Sequence, residues 1–349
     1  MKKIILFILL LFPLNTYAIS ASAYIVMDTD TSRVLAGSNI YAPYLIASIS
    51  KIMTTMVVLN NADIQKEITT PAEVLKSHGS GIYITVGEKI TLENLLYGLM
   101  LRSGNDAAIA LAYEVGGSME GFVKLMNETA TSIGMKNTNF LNSHGLEENN
   151  KQGNTSSVYD MGLLSSYAIQ NKVYQKITST KTHTAKTDLK TYVWQNKNRL
   201  LKSYEYCTGG KTGYTELAKR TLVTNASKDK MNLTVVTFKD GNDFADHEAL
   251  YAKTFSNYQN YEVLKKGEII TKLANTYLTE NFKMTLTKSE YDALEIKIDY
   301  ANENATNVIG EVSVSLYNKE YYRGKIYHQA EVKKLTFLQK IKRIWKVND

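Results

Sequence analysis

Strand-like runs near the start of the chain and again at 211–238, with only helical spacing between them, constrain the fold more than any other feature. Residues 23–27 and 33–36 are short apolar runs around Asp28-Thr29-Asp30-Thr31-Ser32 and read as a hairpin with a polar turn. Residues 46–59 place Ile49, Ile52, Met53, Met56 and Val57 at helical spacing, which predicts a helix with a buried face that begins near Ser48. Helical spacing continues through 92–101, 107–115, 120–133 and 158–169, between breaks that contain glycine and asparagine. Alternation returns at 211–214, 220–227 and 233–238, the last two joined by Lys228-Asp229-Lys230, and a helix is expected over 244–258. This order predicts one sheet whose halves are separated in sequence by a helical insert. From about residue 262 alternating stretches at 294–300 and 310–317 predict a small β domain, and no internal repeat or low-complexity linker interrupts the chain.

The first residues read as an export signal: Lys2 and Lys3 precede the apolar run 4–14, and the small residue Ala18 follows a short polar stretch. That run is shorter than the roughly 20 apolar residues a bilayer span needs. Residues 1–18 are therefore expected to be removed, with cuts after Ala21 or Ala23 as alternatives. The domain expectation is a catalytic domain over 23–258, a small β domain over 262–332 and a basic segment over 333–349. The lone Cys207 cannot form an internal disulfide, so an exported chain of this size has to rely on its core. A formal charge of +7, which falls by two with Lys2 and Lys3, suits anionic surroundings such as a polymer wall or lipid head groups. Nucleic acid is a poor partner, because export removes the chain from it and the basic residues follow no recognition motif.

Three short strings carry chemistry. Ser48-Ile49-Ser50-Lys51 heads the predicted helix, where residues three apart share a face and the amine of Lys51 reaches the hydroxyl of Ser48. A hydroxyl is a weak nucleophile until a base takes its proton, and lysine serves only if burial or a nearby cation lowers its pKa. Ile46, Ile49, Ile52 and Met53 offer that burial. A second Ser-x-x-Lys, Ser227 to Lys230, lies in a predicted turn and reads as solvated. Ser103-Gly104-Asn105 stands between two predicted helices; it is either a helix cap, with Asn105 or Asp106 opening the next helix, or a shuttling hydroxyl beside a substrate-binding amide. Lys211-Thr212-Gly213 follows Gly210, but a phosphate-binding loop needs glycine where Glu205 stands, so the nucleotide reading fails. On a strand Lys211 and Gly213 share one face and Thr212 takes the other, subject to twist or a bulge. Gly213 permits close approach of a peptide backbone, and the N–H groups of Ser48 and Tyr214 are candidates for an oxyanion hole.

In that order the three strings resemble the signatures of penicillin-binding proteins and active-site serine β-lactamases. The fuller strings Ile-Ala-Ser-Ile-Ser-Lys-Ile-Met-Thr, Leu-Arg-Ser-Gly-Asn-Asp-Ala-Ala and Gly-Gly-Lys-Thr-Gly-Tyr-Thr are similar to the low-molecular-mass D-alanyl-D-alanine carboxypeptidases, over residues 23–258. The resemblance implies an α/β fold of the β-lactamase/transpeptidase type, a helical cluster beside an antiparallel sheet, followed by the small β domain. It also implies removal of the terminal D-alanine from peptidoglycan stem peptides and covalent inhibition by β-lactam antibiotics. By the same resemblance Ser48 forms the acyl-enzyme and Lys51 is the base. Ser103 passes a proton to the leaving amine, while Asn105, Lys211 and Thr212, with Gly213 and Tyr214 beside them, bind the substrate. Arg102 stands where the family often has proline, and Tyr214 where some members have histidine.

Two rival readings are a serine β-lactamase and a non-catalytic wall-binding protein of the same fold. The first needs a deacylating residue, and Glu147 lies in a different local sequence from the Glu-x-x-x-Asn of class A enzymes. Intact Ser48, Lys51, Ser103 and Lys211 argue against the second. No cofactor is implied, and none of His78, His144, His183, His247 and His328 shows metal-ligand spacing. His144 reads as a structural loop residue. Near the C-terminus Leu335, Leu338, Ile341 and Trp345 share one side, with Lys340, Arg343 and Lys346 elsewhere. This basic amphipathic pattern fits either a membrane surface or packing on the β domain.

Overall fold

The computed structural model describes residues 18–268, 276–300 and 308–328. The apolar run 4–14 and the basic segment 333–349 lie outside the described residues. The chain divides into two compact units, Met1–Ser256 and Asn257–Asp349.

In the first unit, strands β1 (Ala23–Asp28), β2 (Arg33–Ser38), β5 (Cys207–Thr215), β6 (Lys219–Lys228) and β7 (Met231–Phe238) form one antiparallel sheet in the order β2-β1-β7-β6-β5. Residues from both ends of the unit therefore pair directly, with Ala23 opposite Phe238 and Asp28 opposite Leu233. The β6–β7 connection is the two-residue turn Asp229-Lys230, whose positive φ values of 50° and 65° match the twist that such tight hairpins need. The central strands β6 and β7 bury consecutive residues because both faces are covered. Helix α5 (Val158–Ala168) packs on β1 and β7, and Ser165 accepts from Asn225 Nδ2 at 2.9 Å. Helix α7 (Asp243–Asn257) packs through His247 and Tyr251, which hydrogen-bond Thr224 of β6. His247 is fully buried, and that burial pushes its pKa down to about 3, so it serves as a neutral packing residue.

Between the two groups of strands lies the helical cluster, α1 (Lys51–Asn61), α2 (Leu92–Tyr97), α3 (Asn105–Gly116), α4 (Met119–Ser132) and α5, with α6 (Lys172–Ser179) following. Sequence spacing implies one buried face for α1, yet every residue from Lys51 to Val58 is buried. The helix is the axis of the cluster, packed by α3, α4 and α5, which explains its side-to-side coverage. The expected helix over 92–101 changes character at residue 98: α2 ends at Tyr97, and Gly98–Arg102 widen into a π turn that delivers Ser103 with φ 64°. A hairpin absent from the sequence reading, β3 (Thr182–Lys186) with β4 (Thr191–Gln195), follows α6. Its strands are polar and half exposed, burying only Ala185, Tyr192 and Trp194, and so give a weak apolar signal.

The second unit contains a five-stranded antiparallel sheet that includes Glu295–Tyr300, Val308–Leu316 and Lys319–His328. A separate pair joins Gln259–Leu264 to Phe282–Leu286. Leu264, Leu278, Phe282, Met284, Leu286, Val312, Val314, Leu316 and Ile326 form its core. Among the described residues no helix is long and apolar enough to cross a membrane.

Candidate active site

Ser48 does not sit inside α1 but in the single 3-10 turn Ala47–Ser50 that precedes it. Ala47 takes φ 50°, a costly conformation for a residue with a Cβ, and Ser50 Oγ holds the turn by donating to Ala47 O at 2.7 Å. Gly145 closes on the same turn, where a Cβ would lie 2.0 Å from Ala47 O. The nucleophile candidate is thus fixed from both sides.

Lys51 Nζ lies 3.1 Å from Ser48 Oγ, 2.8 Å from Asn105 Oδ1 and 2.5 Å from the carbonyl oxygen of His144. An ammonium has three protons, and all three are matched. A neutral amine has two, and the amide and the carbonyl accept only. Once Lys51 is neutral, Asn105 and His144 take those two protons and leave the nitrogen lone pair directed at the Ser48 hydroxyl. Lys51 is fully buried, which lowers its pKa to about 7, with the charge of Lys197 adding to the drop and Asp106 opposing it. An amine with that pKa is able to act as a base near neutrality.

Asn105 is buried, with Nδ2 donating to His78 O at 2.6 Å while Oδ1 receives Lys51. Both ends of its amide are engaged within the protein, which positions the amine of Lys51; the substrate contact expected from sequence is not among these bonds. Ser103, at the end of the π turn, receives Lys211 Nζ at 3.1 Å. Lys211 also donates to Thr212 O at 2.6 Å and is buried, and burial together with Lys51 and Lys197 holds its pKa well below the ordinary lysine value. Gly213 pairs with Thr221 across the sheet and passes so close to the serine turn that a Cβ would stand 3.0 Å from Ser48 N and 2.4 Å from Thr221 Oγ1. Only glycine permits that approach. Ser48, Ser103, Thr212, Gly213 and the exposed Tyr214 line one cleft of about 430 Å³.

Sequence reasoning missed four contributors to this cleft. Lys197, Arg199 and Arg220 line it with one carboxylate, Asp243, 3.7 Å from Arg220, so that cations outnumber anions there. Lys197 arrives from the exit of the β3–β4 hairpin, where its N–H donates to Leu101 O at 3.1 Å and its Nζ to Ser80 Oγ at 3.0 Å. No local pattern marks these three, which stand outside every motif. The fourth, Asp106, was read only as a helix cap. Its buried carboxylate accepts from the N–H groups of Ile82, Tyr83, Ile84 and Ala107 and so clamps the segment bearing Ser80, holding Tyr83 at φ 61°. Asp106→Asn is expected to cost about 1–3 kcal/mol of stability through the lost acceptor. Because the Asp106 charge raises the pKa of Lys51, the same change moves the midpoint of a pH–acylation profile below 7. Thermal melts and acylation rates across pH check both.

His144 donates no side-chain proton to the nucleophile. Its Nδ1 accepts from Leu146 N at 3.1 Å, its main-chain carbonyl serves Lys51, and burial pushes its pKa down to about 3, so it stays neutral. Cys207 is partly buried, and burial pushes its thiol up, away from thiolate chemistry. Glu147 accepts from Thr215 Oγ1 at the end of β5, and Ser48 and Lys51 make no hydrogen bond to a carboxylate among the described residues. No group of three His, Cys, Asp or Glu side chains is arranged to hold a metal ion among the described residues.

Comparison with known proteins agrees with this geometry. A family model described as D-alanyl-D-alanine carboxypeptidase matches residues 13–242. A D-alanyl-D-alanine carboxypeptidase of Bacillus subtilis, DacF, is 32% identical over 281 residues, covering 77% of this chain and 71% of the relative. The DacA carboxypeptidase of Haemophilus influenzae is 28% identical over 334 residues, 86% of this chain and 82% of its own length. Among solved structures, penicillin binding protein 5 of Haemophilus influenzae superposes with a TM-score of 0.74 at 24% identity, covering 89% of this chain and 97% of that one, a likeness of fold. A D-alanyl-D-alanine carboxypeptidase of Mycobacterium tuberculosis superposes with a TM-score of 0.65 at 27% identity, covering 70% of this chain and 95% of that one. By its matched length and its relatives, the chain belongs to the D-alanyl-D-alanine carboxypeptidase family.

Proposed function

We propose that Ser48, activated by Lys51, carries out the family's reaction in this chain, removing the terminal D-alanine from peptidoglycan stem peptides through an acyl-enzyme. The observation that carries the reading is the orientation of Lys51: two fixed acceptors, Asn105 Oδ1 and His144 O, leave its lone pair no partner but the Ser48 hydroxyl. As Ser48 Oγ bonds to the penultimate D-alanine carbonyl carbon, its proton passes to Lys51, and the N–H groups of Ser48 and Tyr214 receive the developing oxyanion. Gly213 supports this by letting the strand close on the serine turn. The proton then reaches the leaving amine by way of Ser103, free D-alanine departs, and water hydrolyses the ester.

Lys197, Arg199 and Arg220, against the single carboxylate of Asp243 beside Arg220, leave the cleft a net positive field suited to a peptide that ends in a carboxylate. A β-lactam, which presents a carboxylate beside a reactive amide carbonyl, fits the same cleft as a covalent inhibitor. The engagement of Glu147 with Thr215 supports slow rather than rapid loss of the penicilloyl group.

Incubating the purified enzyme with muropeptides is expected to shorten pentapeptide stems by one D-alanine by mass spectrometry, with penicillin trapping the enzyme as a long-lived adduct. Unchanged stems, or fast penicillin turnover in place of a stable adduct, would sink the reading. Export is proposed on the N-terminal pattern, and the C-terminal segment is proposed to touch an anionic membrane surface. Deleting 335–349 is then expected to release the protein from the membrane fraction, and unchanged fractionation counts against anchoring.

A further inference from the structure

The chain enters the first unit over a pair of buried carboxylates. Ser20 N donates to Asp246 Oδ2 at 2.6 Å, and Ser20 Oγ bridges Asp240 Oδ1 at 2.7 Å and Asp246 Oδ2 at 2.9 Å. Asp240 and Asp246 are 2% and 1% exposed. The donors within hydrogen-bond distance of Asp240 among the described residues, Ser20 Oγ and Asn242 N, are neutral and both fall on Oδ1. The Thr237 hydroxyl interacts more weakly, and Asp240 Oδ2 is buried with no donor within that distance. Burial holds the Asp240 carboxyl above its usual range, and the charge of Asp246 adds to this. The third acidic residue nearby, Asp243, faces Arg220 instead, at 3.7 Å. One buried oxygen thus waits for a donor, beside a second carboxylate that disfavours its charge.

The residues just after Ser20 are also part of the fold. Ser22 N donates to Phe238 O at 3.0 Å, Asn39 Nδ2 donates to Ser22 O at 2.8 Å, and the buried Ala23 opens β1 opposite Phe238. A cut after Ala21 discards the Ser20 bonds, and a cut after Ala23 discards those of Ser22 as well. A cut after Ala18 keeps all of them. It also leaves Ile19 as the first residue, one step of about 3.8 Å along the chain from Ser20.

We infer that export processing cuts between Ala18 and Ile19, and that the α-ammonium released there pairs with Asp240 and Asp246. The inference rests on the export reading above and is independent of the catalytic one. In the cut, a signal peptidase adds water across the Ala18–Ile19 peptide bond, giving a carboxylate on Ala18, which leaves with the signal, and an amine on Ile19, which is protonated at neutral pH. The uncut chain offers one neutral amide N–H at Ile19, whereas the new terminus offers three donors and a positive charge.

Two measurements test this. Intact mass and N-terminal sequencing of the protein exported from its own cell are expected to read Ile19 first. A start at Ser22 or Tyr24 overturns this inference alone, and a chain that keeps Met1 overturns the export reading with it. Separately, a chain beginning at Ile19, freed from a cleavable fusion, is compared with one carrying a short Gly-Ser extension ahead of Ile19. The extension is expected to lower the thermal midpoint by about 2–4 °C in the wild type, and by less in Asp240→Asn, where Asp246 alone is left to balance the ammonium. The same comparison in Asp246→Asn guards against a single misfolded variant. Equal midpoints for the two wild-type chains, or an equal drop in the wild type and both variants, overturn the pairing.

Discussion

Ser48→Ala is expected to abolish covalent labelling by penicillin and to lower D-alanine release by about 10⁴-fold or more, because every later step of an acyl-transfer route depends on the ester. The folded structure should survive. Among the described residues Ser48 Oγ receives a hydrogen bond only from Lys51, and Ala47 and Ile49 on either side of it are buried within the packed turn. A near-native melting profile with no adduct in the mass spectrum is the predicted pair of results. Substantial D-alanine release by the variant would show that another group attacks the substrate, and the assignment of Ser48 would fall.

The second large effect concerns Lys51. A lysine whose pKa is lowered to about 7 is mostly protonated below that pH and mostly neutral above it. Only the neutral form can take the Ser48 proton, so the rate of acylation by a β-lactam rises with pH, reaches half its plateau near pH 7 and falls about tenfold per unit well below it. Lys51→Arg keeps the charge but cannot give up a proton in a protein. That variant is expected to acylate about 10²–10⁴-fold more slowly and to lose the inflection near pH 7. A wild-type profile flat from acid to mildly alkaline pH, in protein that stays folded, would remove Lys51 as the base.

The two effects differ in how directly the sequence announces them. The Ser48–Lys51 approach is legible because the apolar spacing of Ile49, Ile52, Met53 and Met56 predicts helical winding, although Ser48 lies in the 3-10 turn ahead of α1, where residues three apart still share a face. Lys211-Thr212-Gly213 is legible as strand, but not where that strand starts: it opens at Cys207 and carries Gly209 and Gly210 within its pairing. The orientation of the Lys51 lone pair is not legible, since it depends on Asn105, 54 residues away, and on a main-chain carbonyl at His144, which no side-chain pattern can mark. The clamp of Asp106 on residues 82–84 is hidden for the same reason: its partners are backbone N–H groups.

Several elements show the same division within the fold. The helices and strands with strong apolar period, such as 158–169 and 220–227, appear where expected, whereas the polar hairpin β3–β4 does not announce itself. That hairpin matters for chemistry, because its exit brings Lys197 to Ser80 and so to the field that lowers the Lys51 pKa.

By itself the sequence determined most of the order of strands and helices, the polar hairpin β3–β4 excepted, singled out Ser48 and Lys51 as the residues proposed to attack and to act as base, and pointed to the family to which those strings are similar, since periodicity and covalent spacing are local properties of the chain. Only the tertiary structure decided which of the distant groups meet: that Ala23 pairs with Phe238, that Gly213 presses on the serine turn, and that Asn105 and His144 aim the amine. The physical reason is that a pKa and a hydrogen-bond direction are set by everything packed within a few ångströms, and close packing draws those neighbours from across the whole chain.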